Sequence, residues 1–310
     1  MTLDTIIVGG GPAGLSAALV LGRARRRVVV FDVGEPRNHW SAAMHAYLTR
    51  DGLSPAEFIR ISREQLQPYS SVELRNGEVV DAEVRADGFT VVLEGGLRLD
   101  SRTLLLATGV IDDVPVIDGI ERFYGRTVHH CPYCDGWEHR DSAIAVYGCG
   151  DATAKYALAM TSWTQDIVLC TNGFHGMADD QVDRLAEHGI AIHTERIVRL
   201  EGEGDRLERI ILADAPPLAR SAMFFHTGQR QRSGLPAKLG CQFTAAGTVD
   251  TGRAEETDVP GLFVAGDASR ESQLVIVAAA EGAQAAVAIN TMLTRLDLSA
   301  ATQSRLTRAR

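Results

Sequence analysis

Two cysteines separated by two residues stand near the middle of the chain, in the segment HHCPYCDGWEHRD from His129 to Asp141. Cys131 and Cys134 are close enough along the chain to form and break a disulfide within one small loop. Thiolate formation is favoured in a Cys-x-x-Cys arrangement, and Asp135 follows directly, where it could carry the proton that thiol chemistry requires. These residue types at this spacing predict a redox-active dithiol.

Two other roles for the same segment are weighed against redox chemistry. His129, His130 and His139 could complete a metal site with the cysteines, but a structural zinc site usually joins two separated ligand pairs, and the sequence holds no second Cys-x-x-Cys. A purely structural disulfide across so short a loop would restrict the unfolded chain little. Five cysteines in 310 residues are also too few for a disulfide scaffold. We therefore predict a redox pair and no metal.

The N-terminal segment TIIVGGGPAG indicates dinucleotide binding. Gly9, Gly11 and Gly14 stand in G-x-G-x-x-G order between a predicted buried strand and a predicted helix. Such glycines permit a tight turn, the approach of the backbone to a pyrophosphate and close packing of helix on strand. Asp32 ends the next predicted strand, where it could accept hydrogen bonds from ribose hydroxyls. The alternative is a structural glycine turn with Asp32 on the surface.

Two strand–turn–helix–strand units organise the chain. The first covers residues 4 to 33, and the second starts near residue 143 with SAIAVYGCGD, the helix ATAKYALAMTSW and the strand QDIVLCTNG. Continuous apolar runs such as TIIV are typical of strands buried on both faces of a parallel sheet. The late segment GLFVAGDAS and the alanine-rich helix after it fit the first unit better than the second.

The predicted fold class is therefore α/β, with two Rossmann-like dinucleotide-binding domains, the second inserted into the first. Residues 1–116 and 244–310 form the predicted split domain, which contains the first glycine turn. Residues 117–243 form the predicted inserted domain, which contains the second glycine turn and carries the Cys-x-x-Cys.

The composition restricts the class of protein. An apolar share of 45% fits a chain that buries a large core, and the net charge of -9 argues against a nucleic-acid binder. The N-terminus has no pattern of a secretory signal, and no uninterrupted apolar run has the length of a membrane span. We expect a cytoplasmic protein that binds neither nucleic acid nor membrane.

The segments VGGGPAG, LLLATGV, CPYCDG, YGCGDA, HTGQRQ and GLFVAGDAS occur in the order and spacing of the low-molecular-weight thioredoxin reductases. This resemblance runs nearly end to end. The segments CPYCDGWE, GEPRN and MHAYLTRDG look most like those of a subgroup that includes the dithiol oxidases acting on gliotoxin and holomycin. The resemblance implies an FAD-dependent enzyme that interconverts a dithiol and a disulfide, and it implies a homodimer.

The resemblance also implies that the split domain, residues 1–116 and 244–310, is FAD-binding and that the inserted domain, residues 117–243, is similar to an NAD(P)H-binding domain. It further implies a set of FAD-binding residues. By motif match these are Gly9, Gly11, Gly14, Asp32, Thr108, Gly109, Asp267 and Gln273. The glycines would hold the pyrophosphate and Asp32 the adenosine ribose. Asp267 would bond the ribityl chain or the pyrophosphate, and Gln273 would lie near the isoalloxazine ring. The family's Arg-Gln pair is Ser272-Gln273 here, so only the glutamine carries over.

For the redox segment the resemblance implies three distinct roles. Cys134 would lie against the flavin, Cys131 would exchange with substrate sulfur, and Asp135 would match the family's proton donor. The expected substrate is a small dithiol or disulfide, or a thioredoxin-like protein.

The second unit departs from the NADPH site of the family's reductases. Thr153 replaces the usual small third residue of the glycine turn, and the segment LCTNGFHGMADDQ lacks the arginines that hold the 2′-phosphate. At roughly 1.5–3 kcal/mol for each charge-assisted bond, losing two would weaken NADPH binding by a factor on the order of 10² to 10⁴. Arg196 or Arg199 could compensate. We predict that NADPH is used poorly.

Three functions are compared on these grounds. We predict an FAD-dependent thiol-disulfide oxidoreductase that oxidises a small dithiol with oxygen as acceptor, or reduces a disulfide with a ferredoxin-type donor. The alternatives are an ordinary NADPH-dependent thioredoxin reductase and, in another class, a non-catalytic flavin-binding redox sensor. The intact CPYCDG argues against the sensor, since a non-catalytic protein would have no need of both thiols.

Overall fold

The computed structural model describes residues 2–308 of the 310-residue chain. The strands are β1 (Leu3–Val8), β2 (Val28–Asp32), β3 (Val72–Asn76), β4 (Val79–Arg85), β5 (Gly88–Leu93), β6 (Arg98–Leu106), β7 (Val110–Asp112), β8 (Val128–His129), β9 (Ile144–Tyr147), β10 (Ile167–Cys170), β11 (Ala191–His193), β12 (Ile197–Glu203), β13 (Arg206–Leu212), β14 (Leu218–Ala219), β15 (Ala222–Phe225), β16 (Gln229–Gln231) and β17 (Leu262–Val264). The α-helices are α1 (Pro12–Arg23), α2 (Pro55–Leu66), α3 (Ile120–Phe123), α4 (Pro132–Asp135), α5 (Gly150–Ala159), α6 (Asp179–Glu187), α7 (Leu235–Lys238) and α8 (Val275–Arg308). Short 3₁₀ helices occupy Arg37–Trp40, Met160–Ser162 and Arg253–Glu255.

The chain divides into two compact units, each an α/β structure with its own core. Unit 1 comprises the described residues of Met1–Arg37, Ala56–Ile111 and Arg230–Arg310, and unit 2 comprises Asn38–Pro55 and Asp112–Gln229. The strands β7 and β16 lie where the chain passes from one unit to the other.

Unit 1 is built on a seven-stranded sheet in the order β3-β2-β1-β6-β5-β4, with β17 paired to β6. The central strand β1 runs parallel to both β2 and β6. Its side chains alternate between two buried faces: Ile7 packs in one cluster with α1 and α8, and Ile6 packs in the other with α7. This double burial is why β1 appears in the sequence as a continuous apolar run.

Unit 2 is built on a five-stranded parallel sheet in the order β11-β10-β9-β15-β8, next to a three-stranded sheet β12-β13-β14. The elements β9, α5 and β10 form the second strand–turn–helix–strand unit, as predicted. Ile144 and Val146 of β9 face one apolar cluster, and Ala145 faces the other. Both sheets are thus of the Rossmann type, and the predicted fold class is confirmed.

The bounds of the two units differ from the predicted domain limits in three places, of which the first is that residues 112–116 belong to unit 2. Leu235, Leu239 and Cys241 are buried in the same apolar cluster as β1, β2 and β6, so the chain returns to unit 1 before residue 244. Asn38–Pro55 belongs to unit 2, where the Trp40 carbonyl accepts a hydrogen bond of 2.8 Å from Arg126 Nη1. Neither segment has a helical or strand periodicity that would reveal which core it joins.

Part of α8, Val275–Thr302, is long and apolar enough to cross a membrane by length and composition alone. Its most apolar 18-residue window has a mean hydropathy of 1.4, and 39% of that window is buried in the protein. The expectation concerned an uninterrupted apolar run, and polar residues such as Glu281 interrupt this one without ending the helix. Ala285, Ile289 and Leu293 of this helix pack in the core of unit 1, which accounts for its apolar face.

Candidate active site

The redox segment of unit 2 contains a disulfide between Cys131 and Cys134, with an S–S distance of 2.05 Å and a Cα–Cα distance of 5.3 Å. Cys131 is the N-cap of α4, and its Sγ accepts a hydrogen bond of 3.1 Å from the Cys134 amide. Pro132 occupies the first turn of α4, where the lack of an amide hydrogen costs nothing. Tyr133, between the cysteines, is 74% exposed. Within residues 2–308 no group of three or more His, Cys, Asp and Glu side chains could hold a metal ion.

A row of three side chains extends from this segment into unit 2. Asp135 Oδ1 lies 3.3 Å from His129 Nδ1, and His129 Nε2 lies 2.9 Å from His139 Nε2. The Arg126 carbonyl accepts a hydrogen bond of 2.9 Å from His129 Nε2. Burial, and then the neighbouring His129, lower the pKa of His139 to about 4. The sequence suggested both histidines only as metal ligands, and no sequence pattern predicts this row.

The first glycine turn joins β1 to α1 in unit 1. A Cβ atom at Gly9 would lie 2.2 Å from the Ala107 carbonyl oxygen, and one at Gly14 would lie 1.9 Å from the Gly9 carbonyl oxygen. Both positions therefore require glycine. A Cβ atom at Gly11 would meet no described atom within 4 Å, so open space borders the turn on that side. This is the arrangement that a backbone-bound pyrophosphate needs.

Asp32 lies beside this turn, at the end of β2. Its Oδ1 accepts a hydrogen bond of 3.1 Å from the Gly10 amide, and its Oδ2 accepts one of 2.6 Å from Arg63 Nη2. Arg63 belongs to α2, and no motif in the sequence connects that helix with β2.

The remaining predicted FAD residues follow the carboxyl ends of β6 and β17, two strands that pair with each other. Arg37 Nη1 donates hydrogen bonds of 2.9 Å to Asp267 Oδ2 and 2.6 Å to Gln273 Oε1, so one guanidinium brings these two residues together. Thr108 has a buried hydroxyl with no hydrogen-bond partner among the described residues. Gly109 has a φ of +69°. Arg37 lies in the segment GEPRN, and no motif match predicted this role for the arginine.

These observations test whether unit 1 fits FAD. A buried hydroxyl without a partner costs roughly 1–3 kcal/mol, so a bound group that supplies the partner of Thr108 would remove that cost. The open side of the glycine turn at Gly11 leaves room for a pyrophosphate. The carboxyl ends of β1, β2, β6 and β17 meet at one edge of the sheet, where α/β proteins bind dinucleotides. The residues present fit the cofactor.

In the second glycine turn, between β9 and α5 of unit 2, one backbone amide is already hydrogen-bonded within the chain. The Gly150 amide donates a hydrogen bond of 2.7 Å to the His175 carbonyl. Asp151 Oδ1 accepts one of 2.9 Å from the Ala178 amide. The segment of residues 171–178 that follows β10 is thereby attached to the turn at two points. Thr153 is buried, and its hydroxyl donates a hydrogen bond of 2.8 Å to the Cys149 carbonyl.

Two Rossmann-type units and a Cys-x-x-Cys disulfide define a dinucleotide-dependent disulfide oxidoreductase. Residues 3–282 match the pyridine nucleotide-disulphide oxidoreductase family, and the chain belongs to that family. It is similar to thioredoxin reductase tcpT of Claviceps purpurea, with 30% identity over 280 residues that cover 86% of each chain.

Solved structures give the same result. The crystal structure of HlmI has a TM-score of 0.94 and 36% identity, and the match covers 100% of this chain and 98% of that one. The crystal structure of the oxidoreductase from Agrobacterium tumefaciens has a TM-score of 0.87 and 34% identity, covering 95% of this chain and 99% of that one. The chain is thus an FAD-dependent disulfide oxidoreductase of the thioredoxin reductase-like type, and the resemblance stated from its motifs is confirmed.

Proposed function

We propose that this enzyme oxidises a small dithiol through Cys131 and Cys134 and uses NADPH poorly. FAD, when bound, accepts the two electrons that the cysteine pair takes from the substrate and passes them to oxygen. We assign the pyrophosphate to the first glycine turn at Gly9, Gly11 and Gly14, with Thr108 and Gly109 lining the site. The cytoplasmic location and the homodimer stay predictions.

An occupied backbone amide in the second glycine turn carries the proposal. A dinucleotide pyrophosphate binds to free amides of such a turn and of the following helix N-terminus. Here the Gly150 amide is bonded to the His175 carbonyl at 2.7 Å. The two bonds that attach residues 171–178 would have to break, or the segment would have to move, before a pyrophosphate could take this amide. The free energy needed to break these bonds would weaken NADPH binding further, beyond the effect of the missing arginines at the 2′-phosphate position.

Compensation by Arg199 is not supported by its contacts. Its guanidinium is bonded to the Glu201 carboxylate, with an Nε–Oε1 distance of 2.8 Å, and Glu201 also binds Arg209 at 3.0 Å. Arg199 would have to leave this cluster to reach a phosphate. Such competition reduces the benefit of a new ion pair.

Anaerobic mixing of the purified holoenzyme with each reductant tests the proposal. We expect a small dithiol such as dithiothreitol to bleach the flavin rapidly, and micromolar NADPH to bleach it slowly or not at all. The physical reason is that the dithiol needs only the cysteine pair, whereas NADPH needs the turn whose Gly150 amide is already bonded. Rapid bleaching by NADPH would overturn the proposal. It would support the second candidate, an NADPH-dependent thioredoxin reductase, which the name of the relative tcpT favours.

We expect Phe174→Arg to improve NADPH binding. Phe174 is 85% exposed in the segment after β10, so its replacement removes little packing. A new charge-assisted bond to the 2′-phosphate is worth roughly 1.5–3 kcal/mol, which is about ten- to a hundredfold in the dissociation constant. NADH lacks that phosphate, so its binding should stay unchanged. Phe174→Gln serves as the neutral control, and equal effects on NADPH and NADH would contradict the assignment.

A further inference from the structure

We propose that Arg37 is a charge-compensating residue of the FAD site. Its guanidinium offsets the Asp267 carboxylate, so that this acid and the anionic pyrophosphate of the cofactor can occupy the same edge of the sheet. The inference rests on the proposed function in one respect, since it takes the pyrophosphate to bind at the first glycine turn. Arg37 is thereby a positioning residue, which acts on the cofactor through its charge and through Asp267.

Arg37 and Asp267 form a partly buried ion pair. Arg37 Nη1 donates hydrogen bonds of 2.9 Å to Asp267 Oδ2 and 2.6 Å to Gln273 Oε1. The two charged side chains are 15% and 20% exposed. Solvent and salt therefore screen this pair less than they screen pairs on the open surface. A guanidinium also keeps its charge in proteins, so the compensation of Asp267 does not depend on pH through Arg37.

The backbone places this pair beside the first glycine turn. A Cβ atom at Gly266, the residue before Asp267, would lie 3.0 Å from the Cβ of Ala13 in the first turn of α1. The Ala265 amide donates a hydrogen bond of 3.0 Å to the Leu106 carbonyl at the end of β6. Gly266 and Asp267 therefore follow β17 at the sheet edge where α1 begins, and this is the edge to which the pyrophosphate is assigned.

The charges at this edge explain why the acid needs a partner. A bound pyrophosphate carries two negative charges, which the amides at the start of α1 attract. The first turn of α1 has no acidic side chain, and its residues Pro12, Ala13 and Gly14 supply no cation either. An uncompensated carboxylate near the phosphates would repel them, and this repulsion is stronger in a partly buried site than in water. Asp32, the other acid assigned to FAD, is likewise bonded to an arginine, Arg63, at 2.6 Å.

The segment that carries Arg37 is fixed to the same edge. Arg232 Nη1 donates a hydrogen bond of 2.7 Å to the carbonyl of Glu35, two residues before Arg37. The Arg232 amide donates a hydrogen bond of 3.1 Å to the carbonyl of Gly109, which follows β6. An arginine on a segment held in this way loses less conformational freedom when the cofactor binds. Its charge is therefore available to the site at a defined position.

Titration of FAD into the full-length apoprotein, followed by the change in flavin fluorescence, tests the compensation without dithiol or NADPH. Arg37→Gln should raise the dissociation constant of FAD roughly ten- to a hundredfold, the range expected for one lost charge-assisted interaction. Arg37→Lys keeps the charge and should retain most of the affinity. Asp267→Asn, added to Arg37→Gln, should recover most of the loss, because the two changes together restore the net charge and asparagine keeps an acceptor oxygen.

Salt separates a charge effect from a structural role. The Debye length falls from about 10 Å at 0.1 M salt to about 3 Å at 1 M. The difference in FAD affinity between Arg37→Gln and the unsubstituted protein should therefore shrink at the higher salt concentration. Arg98→Gln is the matched control, because it removes the same charge from an ion pair of 2.7 Å with Glu83. Arg98 is 51% exposed and lies at the amino end of β6, so FAD affinity should stay unchanged.

Three results would overturn the compensation: an unchanged affinity in Arg37→Gln, a loss that Asp267→Asn fails to relieve, or a loss that salt does not reduce. Thermal melting of the apoproteins shows which variants fold. If Arg37→Gln alone does not fold, the double variant supplies the test, since it should bind FAD nearly as tightly as the unsubstituted protein and weak binding would contradict the proposal.

A wrong assignment of the pyrophosphate would give a different result, because Gly11→Val would then retain its flavin as well. Loss of flavin in Gly11→Val, together with unchanged affinity in Arg37→Gln, would refute the compensation alone.

Discussion

Replacing either cysteine of the redox pair should lower dithiol turnover by at least about a thousandfold, as expected when a nucleophile that forms a covalent intermediate is removed. Cys131→Ser and Cys134→Ser each eliminate the disulfide that accepts the electrons. The measurement is oxygen consumption by the holoenzyme with dithiothreitol. Cys149→Ser is the matched control, because it removes an exposed thiol outside the pair and should leave turnover unchanged. Full turnover in both pair variants would exclude these cysteines from the reaction.

The two variants should differ in how they react with an aromatic disulfide reagent. In Cys134→Ser the free Cys131 thiolate should attack the reagent, release one coloured thiolate and keep the other half as a stable mixed disulfide. No neighbouring thiol remains to resolve that adduct, so mass spectrometry should find it on Cys131. Cys131→Ser should react much more slowly, because Cys134 is assigned to the flavin side. An adduct that forms mainly on Cys134 would reverse the two roles. Both variants carry Cys149→Ser for this measurement.

The sequence predicted the elements that depend on local pattern. The runs TIIV and IAVY, each followed by a glycine turn, correspond to β1 and β9, and the helices after them correspond to α1 and α5. These predictions succeeded because both features can be recognised from neighbouring residues. A strand buried on both faces appears as a continuous apolar run, and the turn after it appears as closely spaced glycines. The disulfide was predictable for the same reason, since its two cysteines lie in one turn.

Features that depend on contacts between residues far apart in the sequence produce no local sequence pattern. Arg37 and Gln273 are bonded across 236 residues of sequence, and no spacing rule connects them. The contact of His129 with His139 requires the turn after α4, and the contact of the His175 carbonyl with the Gly150 amide requires the path of the chain after β10. Backbone carbonyls carry no sequence signal at all. The hydrogen bond that occupies the Gly150 amide could therefore be found only in the structure.

Gly11→Val should produce a folded protein that has lost its flavin. Gly11 has a φ of -77° and a ψ of -172°, an extended conformation that any residue adopts. An added Cβ meets no described atom within 4 Å, so the apoprotein should melt at nearly the same temperature as the unsubstituted apoprotein. The new side chain would occupy the space assigned to the pyrophosphate. Losing two charge-assisted backbone bonds, at roughly 1.5–3 kcal/mol each, would weaken FAD binding by a factor on the order of 10² to 10⁴.

Two further glycines supply the controls for this prediction. Gly234 in unit 1 also has a negative φ, -78°, and open space around its Cβ position, so Gly234→Val should change neither folding nor flavin content. Gly14→Ala should instead destabilise the protein itself, because its Cβ would lie 1.9 Å from the Gly9 carbonyl oxygen. Flavin content measured by absorbance after gel filtration, together with thermal melting of the apoproteins, separates the three outcomes. If Gly11→Val retained as much FAD as Gly234→Val, the pyrophosphate would have to lie elsewhere than at this turn.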